Sequence, residues 1–145
     1  MGLFDFIKDI GENILGKGNP EEKIKDLLEK DFSAKIQNLS VKFDDGIVTL
    51  AGECDSLATK EKAVLLAGNV KGVGQVNDEN LSIPVEEEPA EFYTIVSGDS
   101  LSRIAKRYYG DAMKYPLIFE ANKEVIKNPD LIYPGQQIRI PKLGK

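Results

Sequence analysis

The sequence predicts an α+β protein of two small domains joined by an acidic linker. Along its 145 residues, stretches with apolar residues at helical spacing are interleaved with short stretches in which apolar and polar residues alternate. Residues 84–91 contain two prolines and four glutamates, a composition that extends the chain and cannot form a core. We therefore place an N-terminal helix within 1–18, a first domain at 19–84, the linker at 85–91 and a second domain at 92–145.

The N-terminal segment is predicted to form a helix that packs on the first domain. Leu3, Ile7, Ile10 and Ile14 recur at the spacing of one helical face, and Gly11 is the first glycine that can end or bend the helix. The opposite face is net acidic, which disfavours attachment to anionic lipid. Docking on the protein's own core is the expected role.

The first domain has the predicted order αββαβ. Pro20 occupies the tolerated first turn of a helix, and Asp44-Asp45-Gly46 is typical of a hairpin turn between two strands. Ser56 can cap a second helix, which stops near Gly68, and a last strand ends near Ile83. Two helices on one face of a small antiparallel or mixed sheet would enclose one core.

The second domain has the predicted order βααβ. A strand over 92–96 precedes a helix capped at Asp99 or Ser100, and a second helix is expected at about 115–121. A turn containing Pro134-Gly135 leads into the final strand.

The composition excludes several classes of function. The chain has no histidine, which excludes mechanisms that depend on an imidazole base or ligand, and Cys54 is its only thiol, so no internal disulfide forms. The net charge of -5 disfavours nucleic-acid binding, although residues 92–145 carry nine basic against five acidic residues. No export signal and no apolar run of about 18 residues is found. We expect a cytoplasmic, monomeric protein that is not an enzyme.

The second domain resembles the LysM family from Phe92 to Pro141, through the stretches 93–105, 109–111, 118–122 and 132–141. LysM modules commonly bind glycans that contain N-acetylglucosamine. The alternative is that the same residues only form turns, cap a helix and pack, and that the module docks an unidentified protein. Glycan binding implies a groove formed by Gly98, Asp99, Ser100, Leu101, Leu131, Ile132, Tyr133, Pro134 and Gly135.

The first domain resembles the BON domain, through its hairpin at 41–52 and the stretch 68–73. With the N-terminal motif 1–9, the whole chain resembles the bacterial cytoplasmic potassium-binding protein family, in which a short N-terminal helix precedes a BON and a LysM domain. That family binds K⁺ through main-chain carbonyls. The resemblance implies carbonyl ligands at Ile7, Lys8, Ile10, Gly68, Val70 and Val73.

Such a site is physically reasonable because the last carbonyls of a helix lack partners and lie at the negative end of its dipole. Neutral oxygens can replace the hydration shell of a large monovalent cation, whereas Ca²⁺ and Mg²⁺ usually require carboxylates. The alternative is that both segments are ordinary helix ends bound to water. The family resemblance thus implies a potassium sensor or buffer, which we expect to change conformation on binding. The alternative function is a peptidoglycan-binding LysM protein of the cell envelope.

Overall fold

The computed structural model describes residues 3–11, 13–16 and 18–142, and the chain divides into two compact units at residues 1–87 and 88–145. The α+β class is confirmed. No helix in the described ranges combines the length and apolar character that crossing a membrane requires. The strands are β1 Leu3–Asp5, β2 Ile36–Asp44, β3 Ile47–Cys54, β4 Gln75–Ser82, β5 Glu91–Thr94 and β6 Gln137–Ile140; the helices are α1 Pro20–Phe32, α2 Leu57–Gly68, α3 Leu101–Tyr109 and α4 Tyr115–Ala121, with a 3-10 turn at Ala112–Lys114.

The first unit is built on a mixed sheet with the strand order β1-β4-β3-β2. β3 runs parallel to β4, and the other two pairings are antiparallel. The predicted hairpin joins β2 to β3, and its two central residues, Asp45 and Gly46, have positive φ angles of 50° and 79°. This backbone is that of a tight hairpin whose twist matches the flanking strands.

Both helices of this unit begin at predicted positions. The Asn19 side chain caps α1 by accepting the N–H groups of Glu21 and Glu22, and the Ser56 hydroxyl caps α2 by accepting the N–H of Thr59. The core lies where these helices cover the sheet. Its largest buried side chains include Ile24, Leu28, Phe32, Val48, Leu50, Val64 and Leu65.

The predicted N-terminal helix is wrong in the part of the segment that the structure describes. Leu3–Asp5 instead forms a short strand that pairs antiparallel with β4. Leu3 and Ile7, on the predicted apolar face, are 50% and 45% exposed, whereas Phe6 is only 8% exposed. An isolated short helix is marginally stable, and pairing with the edge of β4 satisfies the same backbone groups. Residues 1, 2, 12 and 17 of the predicted helix lie outside the described residues.

In the second unit, α4 packs against β6 of the antiparallel pair β5 and β6, and α3 packs against α4. Ser100, and not Asp99, caps α3 by accepting the N–H of Arg103, and α3 ends at Gly110 in the left-handed conformation. Buried Asn122 joins α4 to β6, because its amide donates to the carbonyls of Ile118 and Arg139 and accepts the N–H of Arg139.

Candidate functional site

The turn that follows α2 is partly buried and internally hydrogen-bonded. The Asn69 N–H caps the helix by donating to the carbonyls of Leu65 and Ala67. The Val73 N–H donates to the Val70 carbonyl over 3.1 Å, and both valine side chains are fully buried. This turn contains the second group of predicted carbonyl ligands.

The N-terminal segment runs directly across this turn. The Phe6 N–H donates to the Gly74 carbonyl over 2.8 Å, which extends the pairing of β1 with β4 by one residue. Two residues later, the Lys8 carbonyl accepts the Gly72 N–H over 2.7 Å. The structure therefore brings together two segments that are separated along the chain by α1, β2, β3 and α2.

Two glycines make this close approach possible. A methyl group added to Gly68 would lie 2.1 Å from the ring of Phe6, which is itself buried. A methyl group added to Gly11 would lie 1.8 Å from the Asn69 carbonyl oxygen, and the φ of Gly11 is +124°, a conformation that other residues rarely adopt. Any side chain at either position would separate the segment from the turn.

Three of the six predicted carbonyl ligands already accept a backbone hydrogen bond. Besides the Lys8 and Val70 carbonyls, the Ile7 carbonyl accepts the Ile10 N–H over 3.2 Å in a tight turn. Each carbonyl oxygen has two lone pairs, so one accepted hydrogen bond leaves capacity for a cation. These bonds also hold the three carbonyls in defined orientations.

The other three predicted carbonyls belong to Ile10, Gly68 and Val73. Among the backbone hydrogen bonds between described residues, none reaches these carbonyls. Gly68 ends α2, so its carbonyl lies at the negative end of the helix dipole. Ile10 follows a turn and not a helix, which corrects the expectation that both groups of ligands come from helix ends.

The charge at the end of α2 differs from that of the other long helices. α1 has Lys30 in its last turn and α3 has Lys106 and Arg107, as the dipole favours, whereas α2 has no basic residue there. Within the described ranges, no group of three or more Cys, Asp or Glu side chains could hold a metal ion. A cation at this end of α2 would meet backbone oxygens.

The second unit has a cavity beside two of the residues that were predicted to form the glycan groove. A shallow cavity of about 340 Å³ is lined by Ser100, Leu101, Ser102, Tyr115, Pro129 and Asp130. Of the nine predicted residues, Ser100 and Leu101 line it. The other four lining residues were not predicted: Ser102 and Pro129-Asp130 adjoin the two predicted stretches, whereas Tyr115 lies at the start of α4.

Two of the remaining residues predicted to bind glycan form backbone hydrogen bonds within the fold. The Gly135 N–H donates to the Ile95 carbonyl, and the Gln136 N–H donates to the Tyr133 carbonyl. Both bonds belong to the turn before β6. Leu131 is 68% exposed, and neither it nor Ile132, Pro134 or Gly98 lines the cavity.

Asp99 holds the loop between β5 and α3. Its carboxylate accepts the N–H of Val96 over 2.9 Å and the hydroxyl of Tyr93, and Arg107 lies 3.4 Å away. Burial by itself would raise the pKa of Asp99, but the hydrogen bonds from Tyr93, Val96 and Arg107 outweigh it and lower that pKa below its ordinary value. Asp99 is thus engaged within the fold and does not line the cavity.

Cys54 is a packed residue, as the sequence indicates. It is 5% exposed, and burial raises the pKa of its thiol to about 11. The thiolate that would act as a nucleophile is therefore scarce at neutral pH.

Comparison with known proteins agrees with this architecture. The BON domain family matches residues 18–83, and the LysM domain family matches residues 93–141, so both resemblances are confirmed. The potassium binding protein Kbp of Escherichia coli O6:H1 is 38% identical over 149 residues, which cover 98% of this chain and 99% of that protein. The chain belongs to the family of this potassium binding protein.

Other relatives share only part of the chain. An uncharacterized protein of Deinococcus radiodurans is 41% identical over 104 residues, covering 65% of this chain and 40% of that protein. The esterase MT1326 of Mycobacterium tuberculosis is 50% identical over 48 residues, covering 33% of this chain and 10% of the esterase.

Proposed function

We propose that the chain binds potassium between its N-terminal segment and the turn after α2. The observation that carries the proposal is the close approach of these two segments, joined by the 2.7 Å hydrogen bond from the Gly72 N–H to the Lys8 carbonyl. The family relationship supports it, since the full-length relative is named for potassium binding.

The carbonyls of Ile7, Lys8, Ile10, Gly68, Val70 and Val73 would hold the ion. Neutral carbonyl oxygens replace the hydration shell of K⁺, as they do in channel filters, and provide no charge to attract divalent ions preferentially. The dipole of α2 adds negative potential at its end, where no basic residue of its last turn competes.

Ion binding is expected to fasten the N-terminal segment to the domain. Both segments must be in place for the ligands to assemble, so K⁺ stabilises the docked arrangement by mass action, by about 2.7 kcal/mol at a hundredfold excess over the Kd. The docked fraction then reports the potassium concentration. We propose a cytoplasmic monomer that acts as a sensor or buffer and not as an enzyme.

Thermal melts test this proposal. The full chain is unfolded in KCl, NaCl and CaCl₂ at matched ionic strength. For a domain of this size, a stabilisation of about 2.7 kcal/mol raises the Tm by roughly 10 °C or more, and we expect that rise in KCl alone. Equal melting temperatures in KCl and NaCl would overturn the proposal.

The labelling rate of Cys54 provides a second measurement. A buried thiol reacts with a thiol reagent only after the domain opens, so a hundredfold excess of K⁺ over its Kd should slow labelling by about a hundredfold if opening releases the ion. Na⁺ should leave the rate unchanged. A rate that does not depend on K⁺ would show that the ion does not stabilise the unit containing Cys54.

A second candidate function is glycan binding by the LysM domain. The cavity of about 340 Å³ supports it, since Tyr115 provides an aromatic surface and Ser100 and Ser102 provide hydroxyls that can contact a sugar. Titration with an N-acetylglucosamine tetramer tests it, with Tyr115→Ala expected to weaken binding. Absence of binding to the oligomer and to purified cell-wall sacculi would reject this candidate and leave potassium binding untouched.

A further inference from the structure

The contact between the N-terminal segment and the rest of the first unit is small. Among the described residues that precede α1, only Phe6 is buried, and its ring lies directly over Gly68. The remaining contact is mostly backbone pairing, with three residue pairs between β1 and β4 and the bonds of Phe6 to Gly74 and of Lys8 to Gly72. Release of the segment would therefore remove one fully packed side chain from the core and leave the helices on the sheet.

Release of the segment would expose a strand edge beside an apolar hollow. β1 is the outer neighbour of β4, so its departure would leave the backbone groups of Gln75–Asn77 unpaired on that side. The Gly72 N–H and the Gly74 carbonyl would also lose their partners, and the space that the Phe6 ring fills above Gly68 would be empty. We call this surface the acceptor edge, formed by Gly68, Gly72, Gly74 and Gln75–Asn77.

The chain's own segment shows which chemistry the acceptor edge recognises. An exposed strand edge pairs with the backbone of any extended segment, and pockets for alternate side chains provide the selectivity. Leu3 and Asp5 are exposed, so their positions tolerate different side chains, whereas Phe4 is half-buried and Phe6 is buried. Because Gly68 has no side chain, an aromatic ring fits at the Phe6 position. The matching ligand is an extended segment with apolar residues two positions apart, the second of them aromatic.

A segment from a different protein is a better occupant than the same segment from a second copy. The chain's own segment is tethered, which gives it an effective concentration on the order of millimolar, and an identical free segment below that concentration cannot displace it. A longer segment can, because β4 continues to Ser82. Among the described residues, none pairs with Asp78–Ser82 on the side where β1 lies.

Such a partner and potassium would exclude each other. A segment on the acceptor edge displaces the carbonyls of Ile7, Lys8 and Ile10 from the turn after α2, so the candidate potassium site cannot assemble. By thermodynamic linkage, an ion that favours the docked segment weakens the binding of the competing segment by the same factor.

We propose that the acceptor edge binds an extended segment of a partner protein, with an aromatic residue in the place of Phe6, and that K⁺ closes this site by docking the chain's own segment. The ion dependence rests on the proposed potassium site, whereas binding at the acceptor edge is measured separately from it. The partner is bound when K⁺ is scarce and released when K⁺ is abundant. This exchange gives the potassium sensor an output within its first unit.

Fluorescence anisotropy of a labelled peptide tests the proposal. The probe has the sequence of residues 1–6, preceded by three threonines that favour an extended strand and can pair further along β4. It lacks residues 7–10 and so cannot supply the proposed potassium ligands. The full chain is titrated in NaCl, and in KCl at a hundredfold excess over the Kd for K⁺ and the same ionic strength. We expect K⁺ to weaken binding of the probe by about a hundredfold.

Matched variants separate the acceptor edge from general stickiness. Placing Phe6→Ala in the probe should weaken binding by about a hundredfold, because a buried ring is lost, whereas Leu3→Ala in the probe should change little. Phe6→Ala in the full chain releases the chain's own segment, so this variant should bind the original probe more tightly than the parent does and without dependence on K⁺. Leu117→Ala, at an exposed position of the second unit, should behave as the parent chain. The measurements on the parent chain decide the proposal even if the Phe6→Ala chain does not fold.

Four results would overturn the proposal. They are absence of probe binding to the parent chain in NaCl, equal binding of the probe that carries Phe6→Ala, an affinity that K⁺ does not change in a chain whose Tm rises in KCl, and self-association of the parent chain in NaCl that the probe blocks. The last result would assign the acceptor edge to a second copy. If the Tm does not respond to KCl, the proposed potassium function fails by itself, and the effect of Phe6→Ala in the probe still decides whether the acceptor edge binds an aromatic segment.

Discussion

The candidate potassium site would use backbone atoms, whereas the candidate glycan site would use side chains. The proposed potassium site in the first unit would be made of backbone carbonyls, and the positions that allow its two segments to approach each other are Gly11, Gly68 and buried Phe6. The candidate glycan groove of the second unit is lined by residues at the start of α3, by Tyr115 at the start of α4 and by Pro129 and Asp130 of the following loop. In the first unit, function should therefore depend on packing, and in the second on side-chain chemistry.

Among the variants that test this comparison, Phe6→Ala should have the largest effect on stability and on the potassium response. Removing a buried phenylalanine costs about 3–5 kcal/mol, and here it also releases the N-terminal segment from Gly68. Denaturant unfolding should show this loss together with the loss of the potassium response. Ile7→Ala, at a neighbouring exposed position, is the matched control and should change both quantities little. A full potassium response in Phe6→Ala would contradict the docking model.

Adding a single methyl group at a contact glycine should have the next largest effect. Gly11→Ala introduces backbone strain and a collision with Asn69, and Gly68→Ala a collision with Phe6; each should cost about 1–3 kcal/mol. Both should reduce the Tm shift in KCl. Gly74→Ala is the control in the same turn, because its added methyl would be no closer than 3.9 Å to any neighbour. If all three variants respond equally to K⁺, close approach is not required for binding.

Asp99→Asn should have a smaller effect, confined to the second unit. The folded-state pKa of Asp99 is lowered, so its contribution to stability is present above the unfolded-state pKa of about 3.9 and is lost as the pH falls through the folded-state value. The parent chain should lose stability in this acidic range, and Asp99→Asn should lose about 1–2 kcal/mol already at pH 7.

Melts of the second unit at a series of pH values measure this contribution. Glu120→Gln, which removes an exposed carboxylate paired with Lys123, serves as the control and should retain the parent's pH profile. An unchanged acid profile in Asp99→Asn would show that another carboxylate carries the pH dependence.

Lys8→Ala should have the smallest effect, although Lys8 is a proposed ligand. The ligand atom is its carbonyl, and the exposed side chain lies over Gly46 and Gly74 without an ion pair in the described ranges. We expect a change in stability within about 0.5 kcal/mol and an unchanged affinity for K⁺, measured by titration. Loss of binding in a folded Lys8→Ala variant would contradict a carbonyl site.

Local patterns predicted most of the individual elements correctly. The hairpin at Asp45-Gly46, the cap at Ser56 and the second helix of the LysM domain depend on interactions between residues close in sequence, which a single chain displays directly. The helix predicted for the N-terminal segment was wrong. Its apolar residues have helical spacing, but the edge of β4 offers hydrogen bonds that a short isolated helix cannot match, and no local pattern reveals that edge.

The sequence by itself determined the two domain families and the acidic composition of the segment between them, because these are properties of composition and local order. Only the tertiary structure decided which surfaces meet. The contact of Lys8 with Gly72 and the burial of Phe6 against Gly68 each join residues that are far apart along the chain. Such contacts form when apolar surface is buried and backbone groups find partners across the whole domain, and neighbouring residues along the chain do not record the outcome.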